Sequence, residues 1–296
     1  MKELHLDSVR KYNELYGLPT KHPLVAAIGL TEDIYKVNHV DVISDFYGLY
    51  MFISPFYSLQ YGRKKYDLKA GTVICIPPGK KVGLDLNWED RHFEMKGILF
   101  HPDLLLRTSL AKKIKEFSFF NYDEIESLHI SEDEKEKFIK YYNSIREELD
   151  RPADKYTNDV ITSNIHLVLD HLQRFYDRQF ATRRLHNTDV VDQLQEHLRN
   201  FFSKDYPEGA PTVAYFADKV NLSPSYFSDL IRKLTGSTPK EFISRFIMEE
   251  AKRRLVETRE DIGEIAYRLG FNYPAHFSRM FKRVVGLSPK EFRLKN

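Results

Sequence analysis

The chain has 296 residues, 42% of them hydrophobic and 30% charged, with a formal net charge of +2. That length accommodates two domains with separate cores, and the composition is that of an ordinary water-soluble protein. The single cysteine, Cys75, excludes an internal disulfide framework and a thiolate zinc site, and no apolar run approaches the ~18 residues of a membrane span, so a cytoplasmic location is expected.

From about residue 20 to 105 the chain breaks into strand-like runs: LVAAIGL, VDVI, GLYMFIS, GTVICI, KVGLDL and FEMKGILF. Pro55, Gly62, Gly71, Pro77, Pro78 and Gly79 punctuate them. No long helical pattern interrupts the series, which favours a small antiparallel barrel or jelly roll over a parallel sheet. The segment YDLKAGTVICIPPGKKVGL resembles the strand-turn-strand hairpin of cupin-like sensor domains. Of the abundant aromatic residues, Tyr50, Phe52, Tyr61 and Trp88, together with His101, are candidate walls for a small organic effector; the alternative is that they fill the core. Cupin enzymes hold a metal through a His-x-His pair with a Glu and a further His. Here Lys80 and Lys81 stand where an imidazole is wanted, and His-x-His occurs nowhere. No Ser-His-Asp spacing or phosphate-binding glycine loop is present either, so no catalytic residue, metal or cofactor is expected.

Helices follow. Residues from Pro102 to Lys115 read as one helix. Ser131 opens a clearer one with the capping box S-E-D-E, running to Leu149 with Phe138, Tyr142, Ile145 and Leu149 as its apolar stripe. Arg151-Pro152 stops it. Ile161, Ile165, Val168, Leu172 and Phe175 then recur at heptad spacing, a seam for one partner helix. The partner is the preceding helix, the same helix pair in a second copy, or both together, which makes Ile161, Ile165, Val168 and Leu172 candidate dimer contacts. The first domain is thus expected over residues 1–176, with its barrel at about 20–105 and its helices at about 131–176. Residues 177–188 (DRQFATRRLHNT), polar and basic without periodicity, read as a linker.

The second domain, 189–296, contains one unit written twice. SYFSDLIRKLTGSTPKEF from Ser225 matches AHFSRMFKRVVGLSPKEF from Ala275, and FADKVNL from Phe216 matches IAYRLGF from Ile265. Each copy reads as a short helix, a tight turn and a second helix: a helix-turn-helix at about 212–236 and another at about 261–286. In the second copy Asp261 caps the first helix, Gly270 ends it and Phe271 plugs the angle. Phe277, Met280, Phe281 and Val284 form the buried stripe of the second helix, as Phe227, Leu230, Ile231 and Leu234 do in the first copy. Outward lie Ser225, Tyr226, Ser228, Asp229, Arg232 and Lys233 in one copy, and Asn272, His276, Ser278, Arg279, Lys282 and Arg283 in the other. Small polar residues early in a helix and basic ones later suit base edges and phosphates respectively. From Ile265 onward, seven Lys and Arg face only Glu291, the electrostatic footprint of phosphate contact.

The run IGEIAYRLGFNYPAHFSRMFKRVVGLSPKEFR, Ile262 to Arg293, resembles the signature of AraC/XylS-type transcription regulators. The resemblance implies two helix-turn-helix units on one long helix, here from Lys240 to about Glu257 with Phe242, Phe246, Met248 and Leu255 for the core. It implies entry into successive major grooves of double-stranded DNA, a small-molecule effector in the N-terminal domain, a homodimer, and RNA polymerase as a further partner. By position, Ser225, Ser228 and Asp229 would read bases in the first unit, and Pro274, Ala275, His276, Ser278 and Arg279 hold the matching places in the second. Asp229 departs from the basic or amide residue common there, and either accepts from a cytosine amine or orients Arg232. Pro274 and Ala275 lack side-chain donors, leaving direct readout to His276 and Arg279. The expected fold class is α+β, and the expected function a sequence-specific DNA-binding transcription regulator. The alternatives are a regulator with no effector and a cupin-type enzyme with a DNA-binding tail.

Overall fold

A computed structural model describes residues 2–31, 40–54, 56–61, 64–68, 71–84, 94–123, 126–182, 184–202 and 211–295. The chain divides into two compact units, Met1–Gln179 and Phe180–Asn296, and its class is mixed α+β.

Unit 1 opens with β1 (Lys2–Leu6) and α1 (Val9–Leu15), followed by β2 (Val25–Thr31), β3 (Val40–Ser44), β4 (Tyr47–Phe52), β5 (Phe56–Tyr61) and β6 (Lys64–Leu68). Next come β7 (Thr72–Ile76), β8 (Lys81–Leu84), β9 (Glu94–Phe100), α2 (Leu110–Lys113), β10 (Leu128–His129), α3 (Glu132–Leu149) and α4 (Thr157–Thr182). The described strands form three open sheets, ordered β1-β3-β8, β10-β7-β4-β9-β2 and β5-β6. Pairing is antiparallel except between β1 and β3, which run parallel. Alternation decides the faces: Ala26, Ile28 and Leu30 of β2 are buried, while Gly29 and Thr31 are exposed. These three join Leu6, Val9, Tyr12, Phe46, Phe52, Ile74, Met95 and Leu99 in one apolar core. Gly48 is required in β4, because a Cβ there would lie 2.4 Å from the Tyr50 ring two residues on.

Three readings of the sequence change here. The single helix over Pro102–Lys115 is broken into the 3-10 turn Pro102–Leu105, α2, and a second 3-10 turn, Ile114–Glu116, with Arg107 left-handed between the first two (φ 68°). The heptad seam is used inside the chain. Ile161, Ile165, Val168 and Leu172 are all 0–1% exposed within this one copy, so they are core residues rather than a surface for a second chain. α3 lies beside α4: Tyr141 stacks on His171 with ring centroids 5.4 Å apart, and Arg178 grips Glu134 at 2.7 and 2.8 Å. The expected linker is also mostly helical, since α4 runs to Thr182 and α5 (Arg184–Phe202) begins at Arg184.

Unit 2 is helical. After α5 come α6 (Val213–Lys219), α7 (Pro224–Thr235), α8 (Pro239–Glu257), α9 (Ile262–Arg268), α10 (Pro274–Val285) and α11 (Pro289–Lys295). The hub is α8, which touches α7, α9, α10 and α11. Its Ile243, Ile247, Met248, Ala251 and Leu255 are buried, whereas Phe242 and Phe246 are only half-buried. Phe216, Phe227, Phe277 and Phe281, each 0% exposed, complete the core from the two repeats.

Capping boxes fix the helix starts. Thr238 and Glu241 bond reciprocally at the head of α8, Asp261 and Glu264 at α9, and Ser288 and Glu291 at α11. The backbone N–H and hydroxyl of Thr238 hold the Glu241 carboxyl below the usual glutamate range, and the hydroxyl and backbone N–H of Ser288 do the same for Glu291. Because the folded values are depressed, the stabilisation is complete above the usual range and is lost as pH falls through them. Thermal melts of the full chain between neutral and acidic pH are therefore expected to show a falling unfolding temperature that flattens in a Glu241→Gln, Glu291→Gln double variant. An acid limb of unchanged steepness in that variant would assign the loss to other groups.

Candidate nucleic-acid interface

The two repeats build the same turn with different residues. In the first, Asn221 N–H bonds the Asp218 carbonyl at 3.0 Å and Leu222 N–H bonds that of Ala217 at 2.9 Å. In the second, Gly270 N–H bonds Tyr267 and Phe271 N–H bonds Ala266, both at 2.9 Å. These are two Schellman closures, each with a left-handed residue at the same place, Asn221 (φ 55°) and Gly270 (φ 78°). Glycine takes that conformation freely; asparagine tolerates it better than other side chains do. The repeat had drawn attention to Gly270, and the structure shows Asn221 doing the same work.

Each turn leads into a twelve-residue helix, α7 or α10, that packs one face on the core and leaves the other outward. Ser223 caps α7 by accepting from Tyr226 N–H, Pro224 occupies the first helical position, and Gly236 (φ 70°) ends the helix. Along α7, Ser225, Ser228 and Asp229 are half-buried, and Arg232 and Lys233 exposed. The Ser228 hydroxyl donates to the Pro224 carbonyl at 2.7 Å, which leaves its oxygen lone pairs for an incoming donor. Asp229 lies 3.5 Å from Arg232, the orienting arrangement that the sequence had left open. Tyr226 is 3% exposed and packs against Phe180 with centroids 4.9 Å apart. It follows Ser225 by about 100° of helix rotation, which turns it into the core, so it is corrected here from candidate contact to packing residue.

On α10, His276, Arg279, Lys282 and Arg283 are exposed, as is Asn272 in the preceding turn, while Ser278 is half-buried. The His276 ring meets Phe271 edge-on at 5.8 Å, which braces it against the turn. Arg279 therefore stands among exposed cations on one helix face. Phe277 and Phe281 are buried as expected, but Met280 is half-buried and Val284 is 45% exposed. One exposed residue escaped the sequence reading: Tyr273, 74% exposed at the head of α10. It stands where the first copy has Ser223, yet makes no side-chain cap. The signal available was that mismatch between copies, a large aromatic at a capping position.

The proposed effector residues fall elsewhere. Tyr50 is half-buried against the core, its hydroxyl bonded to Tyr12 and its ionisation pushed up by desolvation. Phe52 is 5% exposed in the same core. His101 accepts from Asp103 N–H at 3.2 Å and caps the turn Pro102–Leu105. Trp88 and the side chain of Tyr61 lie outside the described residues. Cys75 is buried, which pushes its thiol up and away from reactivity. No described helix is long and apolar enough to cross a membrane.

Residues 216–295 match a family model described as a helix-turn-helix domain. Over 105 residues the chain is 40% identical to the uncharacterized HTH-type transcriptional regulator YisR of Bacillus subtilis, covering 36% of this chain and 33% of that one. It is 30% identical over 142 residues to the HTH-type transcriptional activator RhaS of an Enterobacter species, covering 48% and 49% of the two chains. With the raffinose operon transcriptional regulatory protein RafR of Pediococcus pentosaceus it shares 23% identity over 229 residues, 76% of each chain. The matched stretch thus spans a third of the first relative and about half of the second.

Proposed function

We propose that this chain, whose C-terminal region is an AraC-type helix-turn-helix domain, is a sequence-specific DNA-binding regulator of transcription. The carrying observation is the pair of helices α7 and α10 on the shared hub α8, each with a buried aromatic stripe and a polar-to-basic outer face. Two such helices suit successive major grooves on one side of a duplex, with Ser225, Ser228, Asp229, His276 and Arg279 toward bases and Arg232, Lys233, Lys282 and Arg283 toward phosphates. The named functions of RhaS and RafR support the reading. Unit 1, taken as a cupin-like domain, would sense a small molecule and join two copies. With the heptad seam occupied, the stripe left for a second copy is Tyr156, Val160 and Leu167 of α4 and the residues before it, which are 57%, 39% and 46% exposed. RNA polymerase would be the further partner, and the cytoplasm the location. An effector acts here by population shift, limited by its differential affinity for the two states.

Selection of binding sites from random duplex DNA by the purified full chain tests this reading. Enrichment of a two-part sequence is expected, while recovery of unenriched DNA at every round would refute sequence-specific binding.

A further inference from the structure

The two repeats differ at the residue that heads the outward helix, and the difference falls beside a cavity. In the first, Ser223 accepts from Tyr226 N–H, caps α7 and is 5% exposed. In the second, Tyr273 makes no side-chain cap at α10 and is 74% exposed. The matching N–H, that of His276, bonds the Tyr273 carbonyl instead, at 2.9 Å. The second copy thus forgoes a hydroxyl that stabilises a helix start and turns an aromatic ring to solvent.

Tyr273 borders an open recess of about 340 Å³ between α8, the residues ahead of α6 and the head of α10. Its walls are apolar where Ile243, Ile247, Phe271 and Met280 line it. Met280 follows Tyr273 by seven residues, two helical turns, so both stand on one flank of α10, beside the face that carries His276 and Arg279. Every polar side chain that lines the recess can donate a hydrogen bond: Lys240, Ser244, Asn272, Tyr273 and His276. No carboxylate lines it, and Lys240, exposed in the first turn of α8, has no ion-pair partner among the described residues. Another cleft of unit 2 differs in this respect, because Arg253 and Arg254 there are paired with Glu250 at 2.7 and 2.8 Å. Donors without a carboxylate, set against apolar carbon, are complementary to a phosphate joined to a sugar.

We propose that this recess grips the DNA backbone between the two grooves that α7 and α10 enter. The Tyr273 hydroxyl and the Lys240 ammonium donate to phosphate oxygens, and the tyrosine ring lies on the adjoining sugar. The assignment rests on the reading of α7 and α10 as DNA-entering helices, and adds to it a backbone contact outside their base-reading faces.

Fluorescence anisotropy of the full chain on a labelled duplex recovered by selection, at several salt concentrations, tests the proposal. Tyr273→Ser is expected to weaken binding about tenfold, the worth of a hydrogen bond to a charged group. It is expected to melt no lower than the parent, since serine can cap α10 as Ser223 caps α7. Lys240→Gln is expected to lower the slope of log affinity against log salt by about 1. A neutral methylphosphonate placed at each position between the two half-elements in turn locates the contact: one position is expected to weaken the parent and to leave Tyr273→Ser unaffected. Parent-like affinity in Tyr273→Ser, or methylphosphonate effects equal in parent and variant at every position, overturns the assignment while the DNA-binding reading stands. Failure of the parent to bind any duplex refutes both.

Discussion

Phe277→Ala is expected to destabilise unit 2 by about 3–5 kcal/mol, the cost of removing a fully buried phenyl ring and leaving a cavity. The ring is 0% exposed and sits 5.4 Å from Phe271 and 5.7 Å from Phe281, so it joins the turn of the second repeat to its outward helix. Few neighbours can move in to refill the space, because Phe271 is already the wedge of the turn and Phe281 meets Phe292 at 5.5 Å. The only tryptophan is Trp88, in unit 1, so its fluorescence does not report on unit 2. Far-UV circular dichroism in denaturant follows the helices of both units, and the variant is expected to show an earlier loss of helix signal than the parent. Val284→Ala, on the same helix but 45% exposed, serves as the contrast and is expected to stay within about 0.5 kcal/mol of the parent. Equal losses from the two variants would contradict the inward assignment of Phe277.

The second large effect concerns recognition. Arg279→Ala is expected to weaken binding to a selected site by about 1–3 kcal/mol and to flatten preference at one base position. The argument is positional: Arg279 is exposed on α10 one turn beyond His276, whose ring rests on Phe271. Lys282→Ala separates base readout from phosphate contact. It is expected to weaken binding to all sequences alike and to lower the dependence on salt. Competition assays against single-base variants of the site, repeated at several salt concentrations, read both quantities. Loss of preference in Lys282→Ala but not in Arg279→Ala would reverse the division of the helix face.

The legible parts of this chain were the local ones. Capping residues Ser131, Ser223 and Asp261, the left-handed Gly270 and the inward phenylalanines of each repeat are set by neighbours within a few positions, and they lie where the pattern puts them. What failed depended on context. Residues 177–188 lack an apolar stripe and the boundary between the two units falls among them, yet their Arg, Gln, Ala and Leu are strong helix formers without Gly or Pro, so the described ones are helical. The seam from Ile161 to Leu172 is apolar as the pattern has it, but periodicity does not say whether the same chain covers it; burial of its residues to 0–1% within one copy does. Tyr226 and Val284 were misread because a helix face narrows or widens with the elements beside it. The parallel pairing of β1 with β3 joins segments distant in sequence and leaves no local trace.

The central claim, that both repeats enter DNA together, is tested most directly by hydroxyl-radical footprinting of the full chain on a selected duplex. Two protected patches about one helical turn, ~10 base pairs, apart on the same face are expected, with an Arg279→Ala, Lys282→Ala double variant, both exposed on α10, losing the one that belongs to α10. A single patch, unchanged in extent by that variant, would contradict the claim and leave one helix-turn-helix unit as the only reader.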